Sequence, residues 1–117
     1  MNTRIREVNH KSDEKKEVPM NTTFTARHFE ASKRLHDHSL EAVKKLTKFY
    51  DGILDCDIIL QPTQDHDEPQ SAEITVKVAK DLLQATEKAP TYEQALGKSI
   101  DNIVRQLKRY KNKRFAK

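Results

Sequence analysis

Two stretches of this chain, ILDCDIIL at 53–60 and SAEITVKVA at 71–79, alternate apolar and polar residues along their length. Successive side chains of a strand point to opposite faces, so each stretch reads as a strand with one apolar and one wetted side. In the first, Leu54, Cys56, Ile58 and Leu60 share a face and Asp55 and Asp57 take the other. In the second, Ala72, Ile74, Val76 and Val78 lie opposite Glu73, Thr75 and Lys77. A sheet made of such strands has to be covered on one side only, and this requirement limits what the rest of the chain can do. NTTFTA at 21–26 carries the same pattern, with Phe24 and Ala26 on one face, and LLQAT at 82–86 follows a tight turn near Lys80-Asp81. The last three strands form an antiparallel meander.

The cover comes from two segments of helical period. In SKRLHDHSLEAVKKLTKFY, residues Leu35, Ala42, Val43, Leu46, Phe49 and Tyr50 fall on one side of a helix, with Ser32 as N-cap and Asp51-Gly52 as stop. After Pro90, Thr91 and Gln94 have the spacing of a capping box, and Leu96, Ile100, Ile103, Val104 and Leu107 make a second apolar stripe. Gly97 inside this helix costs roughly 1 kcal/mol relative to Ala, and nothing in the sequence accounts for it. The order is therefore β-α-β-β-β-α: an α+β domain with a four-stranded mixed sheet and two parallel helices packed on one face. Residues 1–19 lack any apolar period and read as a disordered extension. The domain runs over 20–114, and 115–117 are a basic end.

Charge is unevenly placed. Residues 1–20 carry a net +1; residues 21–97 hold nine basic and thirteen acidic groups, a net −4; residues 98–117 hold eight basic and one acidic, a net +7. The first helix turns Lys33, Arg34, Lys44, Lys45 and Lys48 away from its apolar side, with Asp37 and Glu41 among them. The second puts Lys98, Arg105, Arg109 and Lys113 opposite its stripe, Lys108 and Lys111 on the flank and Arg114 at the end. Helix macrodipoles favour cations in a last turn, which accounts for the end of the second helix and not for the lysines of the first. Two parallel helices on one face would merge both stripes into one cationic surface, suited to a polyanion. Backbone phosphates reward such an array. A membrane surface would want bulky apolar groups among the cations, and only Leu40 and Phe115 offer themselves. Broadside helices suit folded RNA better than groove reading of DNA, and the outer strand positions lack the aromatics of a sheet that stacks bases.

Signals for chemistry are weak. His36 and His38 are splayed by about 200° on a helix and cannot share a metal; His28 and His66 have no companions. The acidic DHDE at 65–68 reads as a solvated loop before a cation site, and the lone Cys56 as a buried thiol. With two glycines there is no phosphate-cradling loop. No cofactor, metal or small-molecule substrate is expected. No apolar run is long enough for a membrane span, and the polar N-terminus is unlike a signal peptide, so a cytoplasmic location is expected.

FTARHFEASKRLHDHSLEAVKKLTKFY, DIIL, SAEITVKV and SIDNIVRQLKRYKNK resemble the ribosome hibernation promoting factors, also known as ribosome-associated inhibitors or sigma-54 modulation proteins. The similarity runs over residues 21–114, and its most specific pieces are Lys45 to Tyr50 and Asp101 to Lys113. What the resemblance implies is a β-α-β-β-β-α domain in the channel of the small ribosomal subunit. There the basic helices would contact 16S ribosomal RNA in the space of messenger RNA and tRNA, and translation would be blocked without chemistry. It carries RNA contact onto Arg34, Lys44, Lys45, Lys48, Arg105, Lys108, Arg109, Lys111 and Lys113, and onto Arg27 in the turn after the first strand. Lys33, Lys98 and Arg114 rest on helix geometry alone. Many relatives open the second helix with D-x-Y-x-A-I-D where this chain has Thr91 to Gly97, TYEQALG, which removes both Asp and moves the Tyr. The chain reads as a short form, expected to be monomeric off the ribosome. Two alternatives stand beside this: a double-stranded RNA-binding module not tied to the ribosome, and a protein-protein modulator of a transcription factor such as a sigma factor.

Overall fold

The computed structural model describes residues 2–7 and 20–115, with side chains from 20 to 113. Seven elements follow in order: β1 (Asn2–Glu7), β2 (Asn21–Arg27), α1 (Lys33–Lys44) running into a 3-10 turn (Lys45–Lys48), β3 (Asp55–Pro62), β4 (Gln70–Val78), β5 (Asp81–Ala89) and α2 (Tyr92–Phe115). The sheet has the order β1-β2-β3-β4-β5. β2 and β3 are parallel, joined through α1, and the remaining neighbours are antiparallel. The four expected strands and both helices are present in the expected order, with the helices side by side on one face of the mixed sheet.

Registry shows how the alternation becomes a core. Phe24, Ile58, Ile74 and Ala85 are successive partners across four strands, and Ala26, Leu60 and Ala72 across three. All of these are buried, together with Leu35, Val43 and Leu46 from the first helical segment and Leu96, Ile103 and Leu107 from α2. Each fully buried Leu or Ile contributes about 1.5–3 kcal/mol. α1 closes over β2, and α2 over β4 and β5. The opposite row, Thr23, Asp57, Thr75 and Gln84, lines the outer face.

The caps follow the sequence. Leu35 N donates to Ser32 Oγ at 3.0 Å, and Gln94 N donates to Thr91 Oγ1 at 3.1 Å. Side-chain hydrogen bonds then tie α2 to the sheet: Ser99 Oγ to the Ala72 carbonyl at 2.6 Å, Gln106 Nε2 to the Gln84 carbonyl at 2.8 Å, and Tyr110 Oη to the Ala79 carbonyl at 2.6 Å. The last holds the β4–β5 turn, where Lys80 takes a positive φ of 71°.

Three expectations need correction. Residues 2–7, read as part of a disordered extension, form β1, which pairs antiparallel with β2 from Asn2↔Arg27 to Glu7↔Thr22 and makes the sheet five-stranded. TRIRE has one apolar residue, so its periodicity is invisible; an open strand edge supplies the backbone partners that the pattern cannot reveal. Residues 8–19 lie outside the described residues. Leu54, placed on the core face by alternation, is 41% exposed, and Ile53 is buried in its stead, because β3 begins only at Asp55 and the preceding residue is free of its phase. Phe49, assigned to the apolar side of α1, is 36% exposed, since the chain tightens into a 3-10 turn at Lys45 and the periodicity of about 100° per residue lapses.

Candidate nucleic-acid interface

Every cation assigned from the sequence to the backs of the helices and described with its side chain is exposed: Lys33, Arg34, Lys44, Lys45, Lys48, Lys98, Arg105, Lys108, Arg109, Lys111 and Lys113. Arg27 is half-buried at the end of β2, beside His28, which adopts a positive φ of 68°. Arg114 lies in the final turn of α2, beyond the described side chains.

Their surroundings sort them. Lys33 is paired with Asp37 at 2.8 Å and Lys44 with Glu41 at 3.1 Å, both on the surface of α1. The Lys33 hydrogen bond holds the Asp37 carboxyl below its usual range, and the same bond raises the Lys33 ammonium. Exposed pairs of this kind are weak, so a phosphate can displace the carboxylate at little cost. Among the described residues no carboxylate engages Arg34, Lys45, Lys48, Arg105, Arg109 or Lys113.

Lys108 and Lys111 occupy the flank of α2 that faces the end of the first helical segment. The Lys108 ammonium lies over the Phe49 ring, 5.6 Å from its centroid, and Lys111 Nζ donates to the Phe49 carbonyl at 3.2 Å. Further into the seam, the rings of Tyr50 and Tyr110 meet edge to face at 5.5 Å. Phe49 follows Lys48 directly and closes the 3-10 turn, its N–H donating to the Leu46 carbonyl at 3.0 Å. The seam therefore sets Lys108 and Lys111 of α2 against the end of the turn that carries the exposed Lys45 and Lys48.

Lys98 does not join them. Its ammonium donates to the Lys88 carbonyl at 2.6 Å and to Glu68 Oε2 at 3.4 Å. The acidic loop, read from the sequence as solvated, folds back against the start of α2 through this contact. Asp65 organises it by accepting from Asp67 N and Glu68 N while Lys88 Nζ pairs with it at 3.3 Å. Those backbone donors, with Lys88 after them, hold the Asp65 carboxyl below its usual range. The Lys98–Glu68 pairing spans 30 positions in the chain, and no local pattern could have shown it.

Other candidate chemistry stays apart. His36 packs edge-on to the Phe24 ring at 5.1 Å, with Nδ1 3.1 Å from Asp37 Oδ1, while His38 is exposed. Among the described residues no group of three or more His, Cys, Asp or Glu is placed to hold a metal ion. A shallow groove of about 250 Å³ on the outer face of the sheet is lined by Asn21, Thr23, Asp55, Asp57, Thr75, Lys77 and Leu82. Its carboxylates accept from neutral donors, Asp57 from Thr23 Oγ1 and Asp55 from Asn21 Nδ2. No helix among the described residues is long and apolar enough to cross a membrane.

Solved structures share this architecture. The N-terminal domain of Thermus thermophilus Protein Y matches with a TM-score of 0.64 at 20% identity, over 80% of this chain and 98% of that one. A ribosomal subunit interface protein from Coxiella burnetii matches with a TM-score of 0.66 at 16% identity, over 79% and 93%. At these identities the likeness establishes a shared fold. No curated protein matches the chain by sequence. Residues 22–114, which take in the strands from β2 onward and both basic helices, match the family described as sigma 54 modulation protein / S30EA ribosomal protein, and the chain belongs to that family.

Proposed function

We propose that this protein binds the small ribosomal subunit through its two-helix cationic face, resting on 16S ribosomal RNA in the channel used by messenger RNA and tRNA, and thereby silences translation. The observation that carries the proposal is the closing of α2 onto the end of the first helical segment through Phe49, where Lys108 and Lys111 meet the segment that bears the exposed Lys44, Lys45 and Lys48. Family membership and the likeness to a protein named for the ribosomal subunit interface support the same partner. On this reading the protein acts as a plug. It needs no cofactor, transforms no substrate, and works wherever ribosomes are, in the cytoplasm. The contacts fall to Arg34, Lys44, Lys45 and Lys48 of the first helical segment and to Arg105, Lys108, Arg109, Lys111 and Lys113 of α2. Arg27 and Arg114 flank them, and Lys33 can join by exchanging Asp37 for a phosphate. Lys98 drops out of the set because it stands near the start of α2, about three turns from Lys108 and Lys111, with its ammonium turned to the Lys88 carbonyl at 2.6 Å.

The test is the triple variant Arg105→Glu, Arg109→Glu, Lys113→Glu. All three side chains are exposed, so circular dichroism and thermal unfolding should match the wild type. Co-sedimentation with small subunits should fall by roughly a hundredfold or more, as reversed charges now repel phosphates. Undiminished inhibition of translation by this variant would overturn the proposal. Retention by duplex RNA in preference to subunits would move the function to the double-stranded RNA reading.

A further inference from the structure

Among the described Phe and Tyr side chains, one ring lies open. Phe24 is fully buried, Tyr92 is buried and stacks on Phe29 at 4.5 Å, and Tyr110 commits its hydroxyl to the Ala79 carbonyl. Phe49 is 36% exposed, at the seam of the two helices, where Lys108 and Lys111 of α2 meet the end of the turn that carries Lys45 and Lys48. The other exposed large apolar residues are aliphatic: Leu54 just before β3, and Leu82 in β5, lining the groove on the outer face of the sheet. The aromatic one stands among the cations.

We propose that Phe49 is a stacking platform for one unpaired nucleobase of the bound RNA, with the surrounding lysines holding that nucleotide's phosphates. The proposal rests on the ribosomal RNA reading above and adds to it a single point of base contact in a surface that otherwise meets phosphate. Sequence-tolerant recognition of a single-stranded nucleotide needs a flat π-face for the base and cations within a nucleotide's reach for the backbone. Phe49 supplies the first. Lys48 and Lys45 on its own segment and Lys111 across the seam supply the second. Lys108 is poised over the ring in the free protein and would trade this contact for the incoming phosphate or keep one ring face while the base takes the other.

A plug that merely seals the seam would need bulk and no ring, so Phe49→Leu separates the two roles. Phe49→Leu should keep the thermal stability and circular dichroism of the wild type and lose about five- to a hundredfold in affinity for small subunits. Phe49→Trp introduces a fluorophore into a chain that has no tryptophan; this variant should bind at least as tightly as wild type, with its indole emission quenched on binding. In a second arm, a short oligoadenylate is compared with an abasic ribose-phosphate oligomer of equal length and charge. The wild type should prefer the oligomer with bases, and Phe49→Leu should not. Wild-type affinity of Phe49→Leu for the subunit, unquenched emission from the Phe49→Trp variant in a bound complex, or equal binding of both oligomers by the wild type would overturn the proposal. If Phe49→Leu binds normally while the triple charge reversal has lost binding, stacking falls and the ribosomal reading survives. If neither variant changes retention, the ribosomal reading itself falls.

Discussion

Burial on the core face of β3 pushes the Cys56 thiol up to about 12, with the neighbouring Asp57 charge adding to the effect. Because the reactive species is the thiolate, native protein should be inert to an alkylating reagent at neutral pH and react only on unfolding. The folded state keeps this proton while an unfolded chain loses it above about 8.5, so the thiol favours the fold fully below that pH and less as the pH rises beyond it. Alkylation at pH 9 in native buffer as fast as in denaturant would contradict this. The inert thiol is readable in the sequence, since Cys56 is in phase with Ile58 and Leu60. Leu54 escapes the same logic, because alternation says which face a residue takes inside a strand and nothing about where the strand begins. Phe49 escapes it for a related reason: one 3-10 turn shifts every later residue on the helical wheel.

At the scale of elements, α2 contains one residue that propensity alone would remove. Gly97 is exposed, its φ is not positive, and a Cβ built on it meets nothing within 4 Å. Gly97→Ala should therefore stabilise the protein by about 0.5–1 kcal/mol, read as a rise of a few degrees in Tm; a fall would mean that the helix start needs the freedom of glycine. Gly52 is the reverse case. A Cβ there would come within 2.6 Å of the Tyr50 ring, so Gly52→Ala would push the ring out of its edge contact with Tyr110 and loosen the helical seam. Elements with two chemically distinct faces are legible in the sequence: β2 to β4 by period two, β5 by the turn at Lys80-Asp81 before it, α1 and α2 by their apolar stripes and by Ser32 and Thr91 at their starts. β1 is not, because a strand recruited by an open edge is specified by backbone donors and acceptors more than by its own side chains.

For the molecule as a whole, the distribution of charge matters more than its net value of +4. The two-helix face is legible as cationic from stripe positions, and its partition is not, since Lys98 is claimed by Glu68 only after folding. This gives a contrast between two exposed cations on the same side of one helix. Arg109→Ala should lower the slope of log affinity for the subunit against log salt by about 0.7 to 0.9, as for one lost phosphate contact; Lys98→Ala should leave that slope unchanged. Equal slopes for both variants would mean that the acidic loop releases Lys98 on binding. The loop packed against the start of α2 has an effect before any contact forms. It sets negative groups at one end of a rod and lysines such as Lys111 and Lys113 about 20 Å along it, so the molecule has an electric moment as well as a charge. A nearby polyanion would turn it before touching it, and collisions would arrive with the far end of α2 leading, a shortened rotational search that shows as speed of capture more than as tightness of hold.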